Sequence, residues 1–182
     1  MRSMTKQYSQ SLYSLSKDEN IENVILEDLK VINDALKENG EFINLLLARS
    51  ISKEERDAIC DEVFSSMHEY SLNFVKILCD KKIIKYFDEI YSIFVKLYND
   101  DNNICDVLVT SATMLSSELK LKLKEKLQKE MNKTVNITYK IDPEILGGII
   151  IQSDGMQQDA SLKTRINSIK KHLLFNSFSN SL

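Results

Sequence analysis

Asp142-Pro143-Glu144-Ile145-Leu146-Gly147-Gly148-Ile149-Ile150-Ile151-Gln152-Ser153-Asp154-Gly155-Met156-Gln157-Gln158-Asp159-Ala160-Ser161-Leu162 is the stretch on which the reading of this chain turns. It holds the single proline and three of the four glycines of 182 residues, so nearly all the tight-turn chemistry is concentrated in one place. Pro143 fixes its own φ and drives Asp142 out of the helical region, which predicts a sharp turn after the strand-like segment Val135 to Tyr139. Gly147 and Gly148 lack a Cβ and are read as structural: they accept positive φ or let another backbone come close. The β-branched run Ile149 to Ile151 predicts a strand buried on both faces. Asp154-Gly155 is a hairpin signal and Met156 to Gln158 the short return strand. Asp159 or Ser161 then caps a last helix with Leu162, Ile166, Ile169 and Leu173 along one stripe.

Working outward, the 103 residues up to Asn103 follow a helical period. Met4, Tyr8, Leu12 and Leu15 predict the inner face of a first helix, with Ser9 and Ser11 keeping it slim. Ile21, Ile25, Leu29, Ile32 and Leu36 trace a second, stopped at Asn39-Gly40. A short third spans Phe42 to Ala48. Ser52 and Glu55 have capping-box spacing, so a fourth starts near Lys53 and buries Ile59, Val63 and Phe64. Leu72, Val75, Leu78 and Cys79 give a fifth; Ile83, Phe87, Ile90, Phe94 and Leu97 give a long sixth. From Ile104 the period falls to two, with Cys105, Val107 and Val109 on one side of a strand. Ser116 caps a helix to about Met131, with Leu119, Leu123, Leu127 and Met131 or Leu121 inward, and Thr134 to Tyr139 is a second strand. Phe175 to Leu182 is a polar tail. The expected class is α+β: an all-α bundle of about six helices over residues 1–103, then a small mixed α/β module over 104–182.

Charge divides at the same place. Residues 1–103 carry 19 acidic and 13 basic residues, a balance of −6, and residues 104–182 carry 8 and 11, a balance of +3, which together recover the net −3. Such asymmetry implies different partners for the two halves. The lysines Lys120, Lys122, Lys124, Lys126 and Lys129 raise a nucleic-acid-binding alternative for the back half. Their spacing spreads charge round an exposed arc without interleaved aromatics, as a solvated helix face does.

No reacting set emerges. There is no H-E-x-x-H, G-x-S-x-G or Ser/His/Asp order, and the pairs Glu54-Glu55 and Asp61-Glu62 fall on helix surfaces. Gly147-Gly148 opens a strand with no lysine following, unlike a phosphate-cradling loop. Cys60, Cys79 and Cys105 lie in apolar patterns as reduced thiols, and His68 and His172 are far apart, so neither cofactor nor metal is expected. No apolar run approaches the roughly 20 residues of a membrane span, and no secretory h-region follows Met1, so the chain is expected to be soluble and cytoplasmic.

The order of motifs resembles the delta subunit of F-type ATP synthases, the oligomycin-sensitivity-conferring protein of mitochondria. The resemblance lies in Val107-Leu108-Val109-Thr110-Ser111-Ala112 with Leu115-Ser116, in Ile141-Asp142-Pro143-Glu144-Ile145-Leu146-Gly147-Gly148, and in Asp159-Ala160-Ser161-Leu162-Lys163-Thr164-Arg165-Ile166. In front it lies in Tyr8-Ser9-Gln10-Ser11-Leu12-Tyr13 and Asn73-Phe74-Val75-Lys76-Ile77-Leu78. The family usually has alanine where Ser9 and Ser11 stand, so each added hydroxyl needs a partner. The resemblance implies a non-catalytic stator subunit without cofactor or nucleic acid. Its front bundle receives the N-terminal segments of the alpha subunits, and its back module meets the C-terminal segments of the b subunits. It also implies a peripheral position at the cytoplasmic face of the bacterial plasma membrane, with no direct insertion. Carried onto this chain, the alpha-binding groove lies between the first and fifth helices, near Tyr8, Ser9, Leu12, Asn73, Phe74 and Ile77.

Overall fold

The structure is a computed structural model that describes residues 2–153 and 156–168. The chain divides into two compact units, Met1–Asp101 and Asn102–Leu182. It is α+β, with helices throughout the first unit and a four-stranded sheet in the second.

The first unit contains α1 (Arg2–Asp18), α2 (Glu22–Glu38), α3 (Gly40–Leu46), α4 (Lys53–Val63), α5 (Glu69–Asp80), a 3-10 turn at Ile84–Tyr86, and α6 (Phe87–Asp101). The α2 stripe is the expected one: Ile25, Leu29, Ile32 and Leu36 are buried, joined by Asn33, which donates from Nδ2 to Asp88 Oδ1 at 3.3 Å. α2 stops at Asn39-Gly40 as expected: Asn39 (φ −123°, ψ 71°) leaves the helical region, and Gly40 begins α3. The α4 capping box forms in full, Glu55 N donating to Ser52 Oγ at 3.2 Å and Ser52 N to Glu55 Oε2 at 2.9 Å. Its buried pair, however, is Cys60 and Phe64, four residues apart, while Val63 lies one position round the helix and is exposed.

α1 departs most from expectation. Met4 and Leu15 are exposed, and the buried arc is Thr5, Ser9, Leu12, Tyr13 and Ser16. Small hydroxyl residues let α1 approach α6 closely, and their polar atoms are satisfied: Ser9 Oγ donates to Ile90 O at 3.0 Å, and Ser16 Oγ to Tyr13 O at 2.8 Å. At the far end Tyr13 Oη donates to Asp101 Oδ2 at 2.8 Å, and its ring meets Phe94 edge-on at 5.3 Å. Hydrogen bonds from Lys17 and Tyr13 hold the Asp101 carboxyl below the ordinary carboxylate range.

The second unit contains β1 (Ile104–Ser111), α7 (Ser117–Met131), β2 (Thr134–Ile141), a 3-10 turn at Pro143–Ile145, β3 (Ile149–Ser153) and β4 (Met156–Asp159), with residues 162–168 helical. Sheet order is β2-β1-β3-β4. β1 and β2 are parallel, pairing Val107 with Ile137, which requires the crossover that α7 supplies. β3 runs antiparallel to β1, with Val109 opposite Ile151, and β4 returns antiparallel to β3 with Ser153 opposite Met156. The Asp154-Gly155 turn, Ile169, Leu173 and the tail lie outside the described residues.

Val107, Val109, Val135 and Leu127 form the buried core of this unit, ringed by partly buried Leu123, Met131, Ile137, Tyr139, Ile149 and Ile151. β3 is half-buried along its whole length, not covered on both faces, since the packing cluster lies on one side of the sheet. Leu119 and Leu121 are likewise exposed: the sheet-facing stripe of α7 is Leu123, Leu127 and Met131.

Candidate partner-docking surface

The organising turn explains its own residue types. Asp142 Oδ1 accepts from Glu144 N at 3.0 Å, Pro143 opens the 3-10 turn, and Leu146 follows in the left-handed region at φ +63°. Gly148 has φ +77°, and a Cβ there would meet Ala160 O at 2.2 Å, so a side chain is excluded by both backbone conformation and space. At Gly147 a Cβ would instead meet the Leu162 side chain at 2.7 Å. Gly147 O accepts from Leu162 N at 2.9 Å, while Ile149 O accepts from Ala160 N at 3.0 Å. The two glycines thus seat the chain that enters the last helix. Both expected caps of that helix operate: Asp159 Oδ1 accepts from Ser161 N at 2.8 Å, Ser161 Oγ accepts from Thr164 N at 3.2 Å, and Thr164 Oγ1 donates to Asp159 Oδ2 at 2.7 Å. These bonds, Ser161 first, hold the Asp159 carboxyl below its ordinary range.

The six residues singled out on the first and fifth helices separate into two groups. Ser9, Leu12 and Phe74 are buried, Leu12 and Phe74 within the bundle core. Tyr8 is half-buried against that core, and Asn73 and Ile77 are exposed. Each helix nevertheless carries an apolar flank that continues outward from its buried arc. On α1 the flank runs from Leu12 through Tyr8 to Met4 and Leu15, which are 43% and 39% exposed. On α5 it runs from Phe74 to the partly buried Tyr70 and then to Ile77, 45% exposed, with Asn73 beside it. At 100° per residue these positions lie within one side of each helix.

α1 packs chiefly on α6 and α2, and α5 on α4, α2 and the 3-10 turn. The two helices therefore share α2 as a neighbour while neither is a principal neighbour of the other. Sequence periodicity missed Met4, Leu15 and Tyr70 as surface residues. The available signal was the hydroxyl stripe Thr5, Ser9 and Ser16, at helical spacing on a different side of α1.

In the second unit the exposed apolar side chains are Met114, Leu119, Leu121, Ile141, Leu146, Met156, Leu162 and Ile166. Several α7 lysines are engaged within the unit: Lys122 with Glu118 at 2.6 Å, Lys126 with Glu130 at 3.7 Å, and Lys120 over the Tyr139 ring at 4.8 Å. Among the described residues there is no group of three His, Cys, Asp or Glu side chains that could hold a metal, and no helix long and apolar enough to cross a membrane.

Residues 4–173 match the family model described as ATP synthase delta (OSCP) subunit. The chain belongs to that family. Among its relatives, ATP synthase subunit delta of Bacillus mycoides (strain KBAB4) is 30% identical over 174 residues, covering 95% of this chain and 97% of the relative. The same protein from Bacillus anthracis (strain CDC 684 / NRRL 3495) matches with the same identity and coverage. A chain in the Toxoplasma gondii mitochondrial ATP synthase hexamer superposes with a TM-score of 0.74 over 93% of this chain and 97% of its own, at 15% identity, and shares the fold. As a family member the chain is a structural subunit of F-type ATP synthase and a component of its peripheral stalk.

Proposed function

We propose that the subunit is a non-catalytic stator link at the cytoplasmic face of a bacterial plasma membrane. Its helical unit docks the N-terminal segments of the alpha subunits, and its sheet unit docks the C-terminal segments of the b subunits. The observation that carries the front half of this reading is the pair of apolar flanks on α1 and α5 above a shared neighbour, α2. Two helices that each rest on a third leave a furrow, and a furrow with apolar walls accepts the apolar face of an amphipathic helix. Met4, Tyr8, Leu15, Tyr70 and Ile77 supply contact area, with Asn73 beside them as a polar anchor. Ser9, Leu12 and Phe74 act from beneath by fixing the two walls.

The task is mechanical. Torque on the catalytic head must be resisted by a tether, and one chain holding two partners makes the second contact effectively intramolecular. The differing charge of the two halves, −6 in front and +3 behind, suits two partners better than one.

Calorimetric titration of the complete chain with a peptide spanning the N-terminal segment of the cognate alpha subunit tests the front half. Ile77→Asp and Leu15→Asp place a charge on the flank at exposed positions, so the fold survives. Each is expected to weaken binding about 10-fold or more. Unchanged affinity in both, with the fold intact by circular dichroism, would remove α1 and α5 from the interface.

A further inference from the structure

α6 is the last helix of the helical unit, and the sheet unit begins at the next residue, Asn102. The C-terminal turn of a helix carries carbonyls without amide partners and opens first, so a helix that continues into another unit is weakest where a pull would enter it. The end of α6 is tied down by side chains. Asp101, its final residue, accepts from Tyr13 Oη at 2.8 Å through Oδ2, and the same oxygen takes the Lys17 ammonium, so α1 holds it from two positions one turn apart. One turn earlier Tyr98 Oη donates at 2.6 Å to Oδ1 of Asn23, in the first turn of α2. A further turn in, the buried Phe94 meets the Tyr13 ring edge-on at 5.3 Å. Beyond the junction the sheet unit takes up the chain at once: Asn103 O accepts at 2.9 Å from the amide of Thr134, which opens β2.

We propose that Tyr13, Lys17 and Asp101 form a tension anchor, which passes a pull arriving from the sheet unit across to α1 before it can unwind α6. This role rests on the stator reading, in which α1 is also a wall of the alpha-docking furrow. Force from the stalk side then reaches the wall that grips the head side within one residue contact of the junction, instead of running back along α6. The two bonds serve in different ways. Tyr13 is buried and its ring is seated on Phe94, so its hydroxyl is held in place and water competes poorly for it. Lys17 is largely exposed, which makes it the weaker of the two. Its attraction to Asp101 falls off more slowly with distance than a hydrogen bond does, so it still acts as the pair is stretched. Tyr98 and Asn23 secure the preceding turn in the same manner.

The experiment pulls the full-length chain with optical tweezers between Ser14 on α1 and Lys140 on β2, both exposed and each replaced by an azide-bearing phenylalanine so that the cysteines stay untouched. The parent chain is expected to hold without an early step until a whole unit gives way. Tyr13→Phe keeps the ring and loses the bond. With Lys17→Met added, the last two turns of α6 should peel first, seen as a low-force step of roughly 14 Å, since about seven residues lengthen from 1.5 Å to about 3.5 Å each. Handles at Ser14 and Glu62, both inside the helical unit, give the control: rupture there should change little. If the parent chain peels as readily as the variant, or if the variant weakens both pulls equally, the contacts are ordinary packing at a helix end and the inference fails. Should the double variant not fold, Lys17→Met decides alone, its exposed position leaving the fold intact and its early step expected at a smaller drop in force. No partner is present in the pull, so a failed alpha-peptide titration removes the stator reading without altering this result, and a failed pull leaves that reading standing.

Discussion

Among the described residues, the core cluster of the helical unit holds 18 buried apolar side chains, whereas that of the sheet unit holds four. Volume holds the first together. Phe64, Phe74, Phe87 and Phe94 fill its centre, and the α1 hydroxyls that enter it do so with their bonds already made. The sheet unit has too little core for that strategy and relies on backbone geometry: parallel pairing through α7, glycine where no Cβ fits, and a carboxylate that ties the last helix to the end of β4. A domain with a small core is sensitive to a few conformationally special residues, and one with a large core to the loss of volume.

The sharpest break in this comparison is Gly148→Ala. Its Cβ would stand against a backbone carbonyl at positive φ, so the expected cost is about 4 kcal/mol or more, enough to open the sheet unit. Gly147→Ala should cost distinctly less, because its clash is with the tip of the Leu162 side chain, which can turn away. Amide hydrogen exchange on the full chain separates the two variants, since fast exchange should be confined to residues 104–168. Equal effects of the two substitutions would show that strain at Gly148 is not what seats the last helix.

In the helical unit, Phe94→Ala removes a fully buried ring that meets Tyr13 edge-on. The expected loss is about 3–4 kcal/mol, read as a lower urea midpoint with exchange accelerated in residues 2–101. Little change would mean that the bundle is held by its ion pairs and not by its core.

The smallest effect concerns acid. The Asp159 carboxyl has a folded pKa below its unfolded value, so its contribution is present above the unfolded carboxylate pKa of about 3.9 and is lost as pH falls through the folded value. Asp159→Asn should therefore flatten the stability of the sheet unit between about pH 4 and the acid limit, and leave the helical unit's acid response unchanged. That response belongs to Asp80, Asp88 and Asp101, whose carboxyls are lowered by Lys53, Lys37 and Lys17 respectively. A urea midpoint followed across pH by probes in each unit checks it.

Large apolar residues at regular spacing made α2 and β1 legible, since burial and period point the same way there. α1 was misread because hydropathy weighs Met4 and Leu15 above Thr5, Ser9 and Ser16. Close helix approach selects for small size instead, and a hydroxyl that finds a carbonyl costs little to bury. The run Ile149 to Ile151 suggested two covered faces, but the packed cluster lies on one face of a four-stranded sheet. Gly148 was legible because steric exclusion is local. The candidate surface was legible only in part: a stripe reveals which side of a helix is apolar, not whether its own chain or a partner covers it. Leu12 and Phe74, placed near the groove together with Ile77, are accordingly part of the bundle core, while Ile77 is exposed.

The central claim is that one chain holds two partners at two places. Its most direct test saturates the complete chain with the alpha N-terminal peptide and then titrates in the C-terminal segment of the b subunits, with Ile77→Asp run in parallel. The account predicts that both bind together, that the second affinity is undiminished by the first, and that Ile77→Asp weakens only the alpha peptide. Competition between the two ligands for one surface, or no binding of either to folded protein, would contradict it.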